Sequence, residues 1–452
     1  MKAFTALFWA YTGGALMKYW LAVDIGASSG RHILGWNKDG QIETQEVYRF
    51  ANGMVLKDGH LVWDIEHLVQ EVISGIRAAF QVQPEIVSLS IDTWAVDYVL
   101  LDERDRMISD CYAYRDSRTA EAVKHVHRLI PFETLYEHTG IQFQPFNTIY
   151  QMQDDLDTGR LQQARSLLMV PEYLMYRLCG VKAREYTNAT TTGLVNARTR
   201  QYDSELLEKL RLPKHLFPSL VQPGTVLGTL KPEVAEAVHG NLKVLLGATH
   251  DTASAVEGIP MQENAPFISS GTWSLLGVKT KGPILTRKSM QDNFTNEGGV
   301  RYIRYLKNIM GLWMIQCLQK QMDLSFPQMV QLAEQSSFNE LIDVNDSRFI
   351  APADMRSEIC SALGTSDLSD GDVINCVYRS LAKSYGTALQ QLEHNTQQTY
   401  KSIYIAGGGA KNEYLNRLTR QYTNKKVIAL PIEATAIGNL KLQMEAEEHD
   451  TL

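Results

Sequence analysis

The sequence predicts an α/β fold of two similar domains that flank a cleft. Two observations establish the repeat, and a third points to the cleft. A strand, a small-residue turn and a second strand occur near 19–36 and again at 267–278. In both halves a helical pattern and a further buried strand follow. Small-residue turns at Gly26, Gly271 and Gly407 to Gly409 interrupt this repeat at strand ends. Three such turns are a stronger signal together than any one alone.

The first half begins with an apolar run at 19–24 that ends in Asp24. Gly26, Ser28, Ser29 and Gly30 turn the chain into a second run at 33–36. Asn37, Lys38, Asp39 and Gly40 supply the next turn, before a third strand at 42–50. Strand, turn, strand is a hairpin and not a strand-to-helix unit. Asp64 suits the cap of a helix in which Leu68, Val69, Val72, Ile73, Ile76 and Phe80 recur at helical spacing. A strand at 86–91 delivers Asp92, and another covers 99–101.

The second half repeats this order. A strand at 244–246 leads to His250 and Asp251. Strands at 267–269 and 273–278 enclose Ser270, Gly271 and Thr272. A helix covers 373–392, a strand covers 402–406, and helix signals resume from Asn412 after the triple glycine. The sequence identity between the halves is slight, so the repeat rests on element order.

Composition sets limits. The 452 residues suit two or three domains. Apolar residues are 44%, charged residues are 21%, and the net charge is −7. That charge argues against a nucleic acid or an anionic membrane as the main partner. Five scattered cysteines, none in a C-x-x-C pair, fit reduced thiols of the cytoplasm. Lys2, the apolar run at 4–11 and Gly13, Gly14 and Ala15 have the outline of a weak secretory signal. Met17 and Lys18 are the better start, because the first core strand follows at once. Residues 1–16 are therefore taken as an extension outside the fold. No stretch reaches the ~18–20 apolar residues of a membrane span.

Five motifs carry chemistry. The run from Asp24 through Ala27, Ser28, Ser29 and Gly30 to Arg31 presents backbone N–H groups and hydroxyls to an anion. Its leading acid suits a hydrated cation near phosphates. It is neither a P-loop nor a dinucleotide fingerprint. Ser269 to Ser274, around Thr272, offers a second such turn. Gly407, Gly408 and Gly409 permit close backbone approach ahead of a helix N-terminus. Asp251, after His250 and before Thr252, is an acid placed to reach into a cleft, as a base for a hydroxyl nucleophile must be. Asp92, Trp94 and Asp97 combine carboxylates with an apolar ring face, which polyol recognition requires. Each motif also has a plain structural reading: a turn, a hairpin, a helix cap or a core tryptophan.

Together these motifs resemble the FGGY carbohydrate kinases, over about 19–439. The resemblance extends to the strings at 113–118, 140–148, 185–192, 296–299 and 307–313. It implies two actin-like (ribonuclease-H-like) domains, a sugar-side domain over 17–244 and an ATP-side domain over 245–452. It implies ATP with Mg²⁺, a small ketose as partner, and phosphorylation of L-rhamnulose at its 1-hydroxyl. Carried over by motif, Ala27, Ser28, Ser29, Gly30, Arg31, Thr272, Gln316 and Gly408 contact ATP. Ala95, His250, Asp251, Thr252 and Asn308 line the sugar site, with Asp92 and Trp94 beside them. Asp251 matches the proton acceptor, and Asp24 lies near Mg²⁺. Two departures stand out: Ala95 replaces a usual glycine, and the chain ends soon after Asn439 in an acidic segment. The competing expectations are a kinase for fuculose, xylulose or another polyol, and a sugar or nucleotide sensor without catalysis.

Overall fold

The computed structural model describes residues 17–261, 264–430 and 433–450. The expected extension, 1–16, lies outside the described residues.

Strand β1 (Trp20–Ile25) is buried along its whole length, as a central strand of apolar residues on both faces must be. It pairs antiparallel with β2 (Ser29–Lys38), which pairs antiparallel with β3 (Gln41–Ala51). The expected hairpins are thus present. Helix α1 (Ile65–Val82) follows, and the Asp64 carboxylate accepts from the His67 N–H at its start. Its Leu68, Val72 and Ile76 pack with Leu21, Val23 and Ile25 of β1. Strand β4 (Ser88–Thr93) lies parallel to β1 on the other side. An insertion at 94–224 then builds its own core around Tyr98, Leu135, Tyr150 and Leu206. Strands β5 (Thr225–Thr229) and β6 (Lys243–Leu246) complete a sheet of order β5-β6-β4-β1-β2-β3.

Helix α2 (Asp251–Gly258) carries the chain into the second half. There β7 (Phe267–Ser270), β8 (Trp273–Thr280), β9 (Thr295–Gly298) and β10 (Ile303–Met310) form an antiparallel run. Helix α3 (Trp313–Met322) and the long α4 (Asp370–Thr396) cover one face. Strand β11 (Ser402–Ala406), helix α5 (Glu413–Thr423) and strand β12 (Lys426–Leu430) follow. The second sheet runs β9-β10-β8-β7-β11-β12.

The two sheets share one frame. In each, the first strand (β1 or β7) pairs antiparallel with the next (β2 or β8) and parallel with a later one (β4 or β11), and the second pairs antiparallel with a further strand (β3 or β10). That later strand pairs parallel with one more, β4 with β6 and β11 with β12. The expected pair of α/β domains flanking a cleft is therefore present as a duplicated topology.

The last helix, α6 (Ala434–Asp450), returns to the first sheet. Its Ala436 and Leu440 cover Trp20, Ala22 and Ile33, the face opposite α1. The Gln443 amide donates to the Leu21 carbonyl at 3.0 Å, and its oxygen accepts from the Ser88 hydroxyl at 2.7 Å. Helices α2 and α6 cross at two glycines. A Cβ on Gly258 would stand 1.9 Å from the Ala434 carbonyl oxygen, and one on Gly438 would stand 1.8 Å from that of Ser254. Only hydrogen fits at either position. Among the described residues no helix is long and apolar enough to cross a membrane.

Candidate active site

A cavity of about 300 Å³ lies where the two sheets and the insertion meet. Gly26, Ala27 and Ser28 reach it from the turn after β1, and Gly271 and Thr272 from the turn after β7. Trp94 and Ala95 line it from the insertion, Asn308 from β10, and His250, Asp251 and Thr252 from the start of α2.

Each turn is held from behind. The Gly26 N–H donates to the Ser29 carbonyl at 2.9 Å, and the Asn52 amide donates to the Gly26 carbonyl at 2.8 Å. The Leu312 N–H, just before α3, donates to the Gly271 carbonyl at 2.9 Å. Gly407 has φ +83°, and a Cβ there would lie 2.7 Å from the Ser270 carbonyl oxygen. The triple glycine therefore packs directly against the second turn. Gly408 beside it faces open space.

Two acids stand below the cavity. Asp24 and Asp92 are register partners on the parallel strands β1 and β4. Arg31 donates to Asp24 at 2.6 Å and also pairs with Glu433. The Asn439 amide donates to Asp92 Oδ2 at 2.6 Å, and Asp92 Oδ1 has no hydrogen-bond partner among the described residues. Burial raises the pKa of Asp24, Arg31 opposes that, and the Asp251 charge adds to it. Burial also pushes Asp92 well above the usual carboxylate range, with the Asp24 charge second. Asp92 is fully buried and off the cavity wall.

Asp251 is the first residue of α2, and His250 occupies the cap position without making a side-chain cap bond. Asp251 Oδ1 accepts from the Thr252 N–H at 2.5 Å and the Thr252 hydroxyl at 3.1 Å. His250 Nε2 lies 3.4 Å from the same oxygen. The loop that carries them is anchored by buried Glu185, whose carboxylate accepts from the Thr249 hydroxyl at 2.8 Å.

The tryptophan stretch divides. Trp94 and Ala95 line the cavity, whereas the Asp97 carboxylate is turned inward. It accepts from the Trp63 and Trp94 indoles at 2.7 and 3.0 Å and from the Tyr114 N–H at 3.1 Å. Burial raises its pKa to about 6 against those bonds. Val96 between them has φ +67°, a strained conformation for a β-branched residue. The Thr148 hydroxyl holds it by donating to its carbonyl at 2.7 Å.

Ser29, Gly30, Arg31, Gln316 and Gly408 do not line this cavity. The first three lie on β2, Gln316 lies in the first turns of α3, and Gly408 lies beyond the Gly271 turn. Conversely, Tyr114, Gln142, Phe146, Thr191 and Glu297 line the cavity without having been assigned a role from the sequence. Behind the wall, fully buried Arg304 brings Nη2 to 3.1 Å from His250 Nδ1 and pairs with Glu297 at 3.2 Å. Burial raises the Glu297 pKa, but Arg304 and His250 together more than offset it and keep the group acidic. The available signal was one arginine in the otherwise buried start of β10.

Known proteins similar to this chain identify its family and fold. The N-terminal domain model of the FGGY family of carbohydrate kinases matches 19–258, and the C-terminal domain model matches 267–447. A rhamnulokinase of Oceanobacillus iheyensis is 46% identical, over 94% of this chain and 93% of its own. A rhamnulokinase of Halalkalibacterium halodurans is 46% identical, over 95% and 94%. The crystal structure of a gluconate kinase from Lactobacillus acidophilus superposes with a TM-score of 0.80 at 17% identity, over 96% of this chain and 90% of that one. That likeness concerns the fold, which is the pair of actin-like domains expected. With both domain models matched in order, and with relatives this similar over nearly the full length, the chain belongs to the FGGY family of carbohydrate kinases.

Proposed function

We propose that the chain transfers the γ-phosphoryl group of ATP to the 1-hydroxyl of L-rhamnulose, with Asp251 as general base. The observation that carries this reading is the position of Asp251. It stands on the wall of one cavity with both small-residue turns and with the insertion residues Trp94 and Ala95. The rhamnulokinase relatives supply the choice of ketose.

Phosphoryl transfer asks the protein mainly for alignment and charge. The turns at Ala27–Ser28 and Thr272 offer N–H groups and hydroxyls to the phosphates, with Ser29, Gly30 and Arg31 behind the first. Gln316 and the open space before Gly408 face the adenosine. Trp94, Ala95, Thr252 and Asn308 frame the ketose. Asp251 takes the proton from the 1-hydroxyl as that oxygen bonds to Pγ. The bond from Pγ to the bridging oxygen breaks, and its electron pair leaves with ADP. His250 beside Asp251 holds the carboxylate and the acceptor in place.

The residues present also fit Mg²⁺. Two adjacent acids, one with an unpartnered oxygen, are a costly pair without a cation. Asp24 and Asp92 would hold the ion, directly or through water, and it would neutralise charge on the phosphates. In this reading Asp92 belongs with Asp24 and not with the sugar. The enzyme works in the cytoplasm, where ATP is supplied.

An ADP-release assay with L-rhamnulose, L-fuculose, D-xylulose and glycerol tests the reading. L-rhamnulose should give the highest kcat/KM. A higher value for another acceptor would reassign the substrate. Nucleotide binding with no ADP release from any acceptor would leave a sensor instead.

A further inference from the structure

We infer that Arg304 is a positioning residue that fixes His250 as the neutral tautomer with its proton on Nε2. The inference rests on the proposed role of Asp251 as base.

The geometry is a chain of three groups. Glu297 and Arg304 are register partners on β9 and β10. Arg304 is fully buried, and its Nε donates to the Gly298 carbonyl at 2.8 Å, which fixes the guanidinium plane. Its Nη2 then lies 3.1 Å from His250 Nδ1. A guanidinium carries donors only and does not lose its proton in a protein. Nδ1 must therefore accept. A proton on Nδ1 would set two donors against each other at 3.1 Å.

Glu297 pulls the other way. Its Oε2 is 3.4 Å from Nδ1 and would favour a proton there. The same oxygen is closer to Arg304, at 3.2 Å, an ion pair without a hydrogen bond that sets the guanidinium charge against it. The arginine therefore decides. With Nδ1 accepting, the neutral ring carries its proton on Nε2, which faces Asp251 Oδ1 at 3.4 Å.

The consequence is catalytic orientation. Asp251 Oδ1 already accepts twice from Thr252. An Nε2–H facing the same oxygen at 3.4 Å adds an electrostatic hold on it, short of a hydrogen bond, and leaves the other oxygen to take the proton. The opposite tautomer would put a lone pair against the carboxylate and let it turn.

The test begins with the resting enzyme, free of substrate, with ¹⁵N-labelled histidine. The His250 resonances are assigned by their loss in His250→Gln. NMR should show Nδ1 bare and Nε2 protonated. A protonated Nδ1 overturns the inference, whether or not any sugar is turned over. Kinetics supply the second arm. Arg304→Met should lower kcat by roughly 10- to 100-fold, as removal of a residue behind a reacting group does, with the KM for ATP unchanged. In the His250→Gln background, where the amide N–H stands in for Nε2–H, the same change should cost less than about threefold, because nothing remains to orient. An equal loss in both backgrounds would make Arg304 a general structural residue and end the proposal.

Discussion

At matching places in the two sheets, the first carries Asp24 and Asp92 and the second carries Ser269 and Ala406. Asp24 and Ser269 each stand two residues before a turn glycine, Gly26 and Gly271. Their parallel neighbours are Asp92 and Ala406. One frame has thus been given two electrostatic characters. The first sheet ends in charge that burial makes costly, and a cation would relieve that cost. The second ends in a hydroxyl, a methyl and glycines, which bring backbone close without adding charge. Phosphates are anionic, so a second pair of acids facing them would repel what the turns are shaped to hold. The duplication supplies two edges, and the division of charge lets one edge handle the cation and the proton while the other receives the nucleotide.

The sharpest way to break this division is to remove the base. Asp251→Asn keeps the shape and the bonds from Thr252 but removes the proton acceptor. Turnover should fall by ~10²-fold or more, while ketose binding by calorimetry stays within a few-fold. A near-normal rate would return Asp251 to a structural role.

The next test makes the second edge behave like an ordinary turn. Gly407 has φ +83° and ψ −170°, a region essentially closed to other residues. Gly407→Ala should cost about 1–3 kcal/mol of stability and push Ser270 and its turn aside. The KM for ATP should rise about tenfold, the equivalent of ~1.4 kcal/mol, with little change in the KM for the ketose. Gly26 differs, because a Cβ there meets only the Ser29 carbonyl oxygen, at an ordinary 3.6 Å. Gly26→Ala should leave thermal stability nearly unchanged, so any loss of activity in it would report close approach of a ligand. Equal stability losses in the two variants would undo the contrast.

A third change makes the first edge resemble the second. Asp92 holds its proton to higher pH in the folded chain than in the unfolded one, because it is buried and lies near Asp24. Folding therefore disfavours its charged form. Its contribution to stability is most favourable below the unfolded value, ~3.9, and declines as pH rises toward the folded value. Asp92→Asn keeps an oxygen for the Asn439 amide and has nothing to ionise. Without divalent metal, it should be more stable than the parent at pH 8 by on the order of 1 kcal/mol. That gain should vanish near pH 4, as urea midpoints at the two values will show. Activity should fall at limiting Mg²⁺ and recover in part at high Mg²⁺. A variant less stable than the parent at pH 8 would mean that the acids are not in conflict.

Much of this was legible in the sequence, because it is local. The hairpins, the Asp64 cap and the glycine turns are set by residues a few positions apart. The acid at a strand end, Asp24, and the acid at a helix start, Asp251, are visible for the same reason. What was not legible is long-range. The bond between Asn439 and Asp92 joins residues 347 positions apart, and the pairing of Gln443 with Ser88 joins residues 355 apart. Nothing near Gly258 or Gly438 signals that two helices must cross there. The inward turn of Asp97 depends on an indole from Trp63, which the local stretch does not contain. The Arg304 contact with His250 likewise brings a strand of the second sheet to a loop of the first half.

The smallest expected effect concerns Ala95, where the family resemblance implies glycine. Its methyl belongs to a cavity wall that is already strained, since Val96 next to it has φ +67° and is held by Thr148 and Gln151. The Asp97 N–H also donates to the Ala95 carbonyl at 2.9 Å, so the local backbone is tied on both sides of the strained residue. Ala95→Gly removes one methyl from the wall and adds backbone freedom worth less than ~1 kcal/mol. The ties should absorb most of that freedom. The KM for the ketose should then stay the same or fall, by no more than about threefold, and kcat should hold. A clear rise in KM would show that the methyl packs against the sugar. In that case this half of the site would select its substrate by contact at Ala95 as well as by charge.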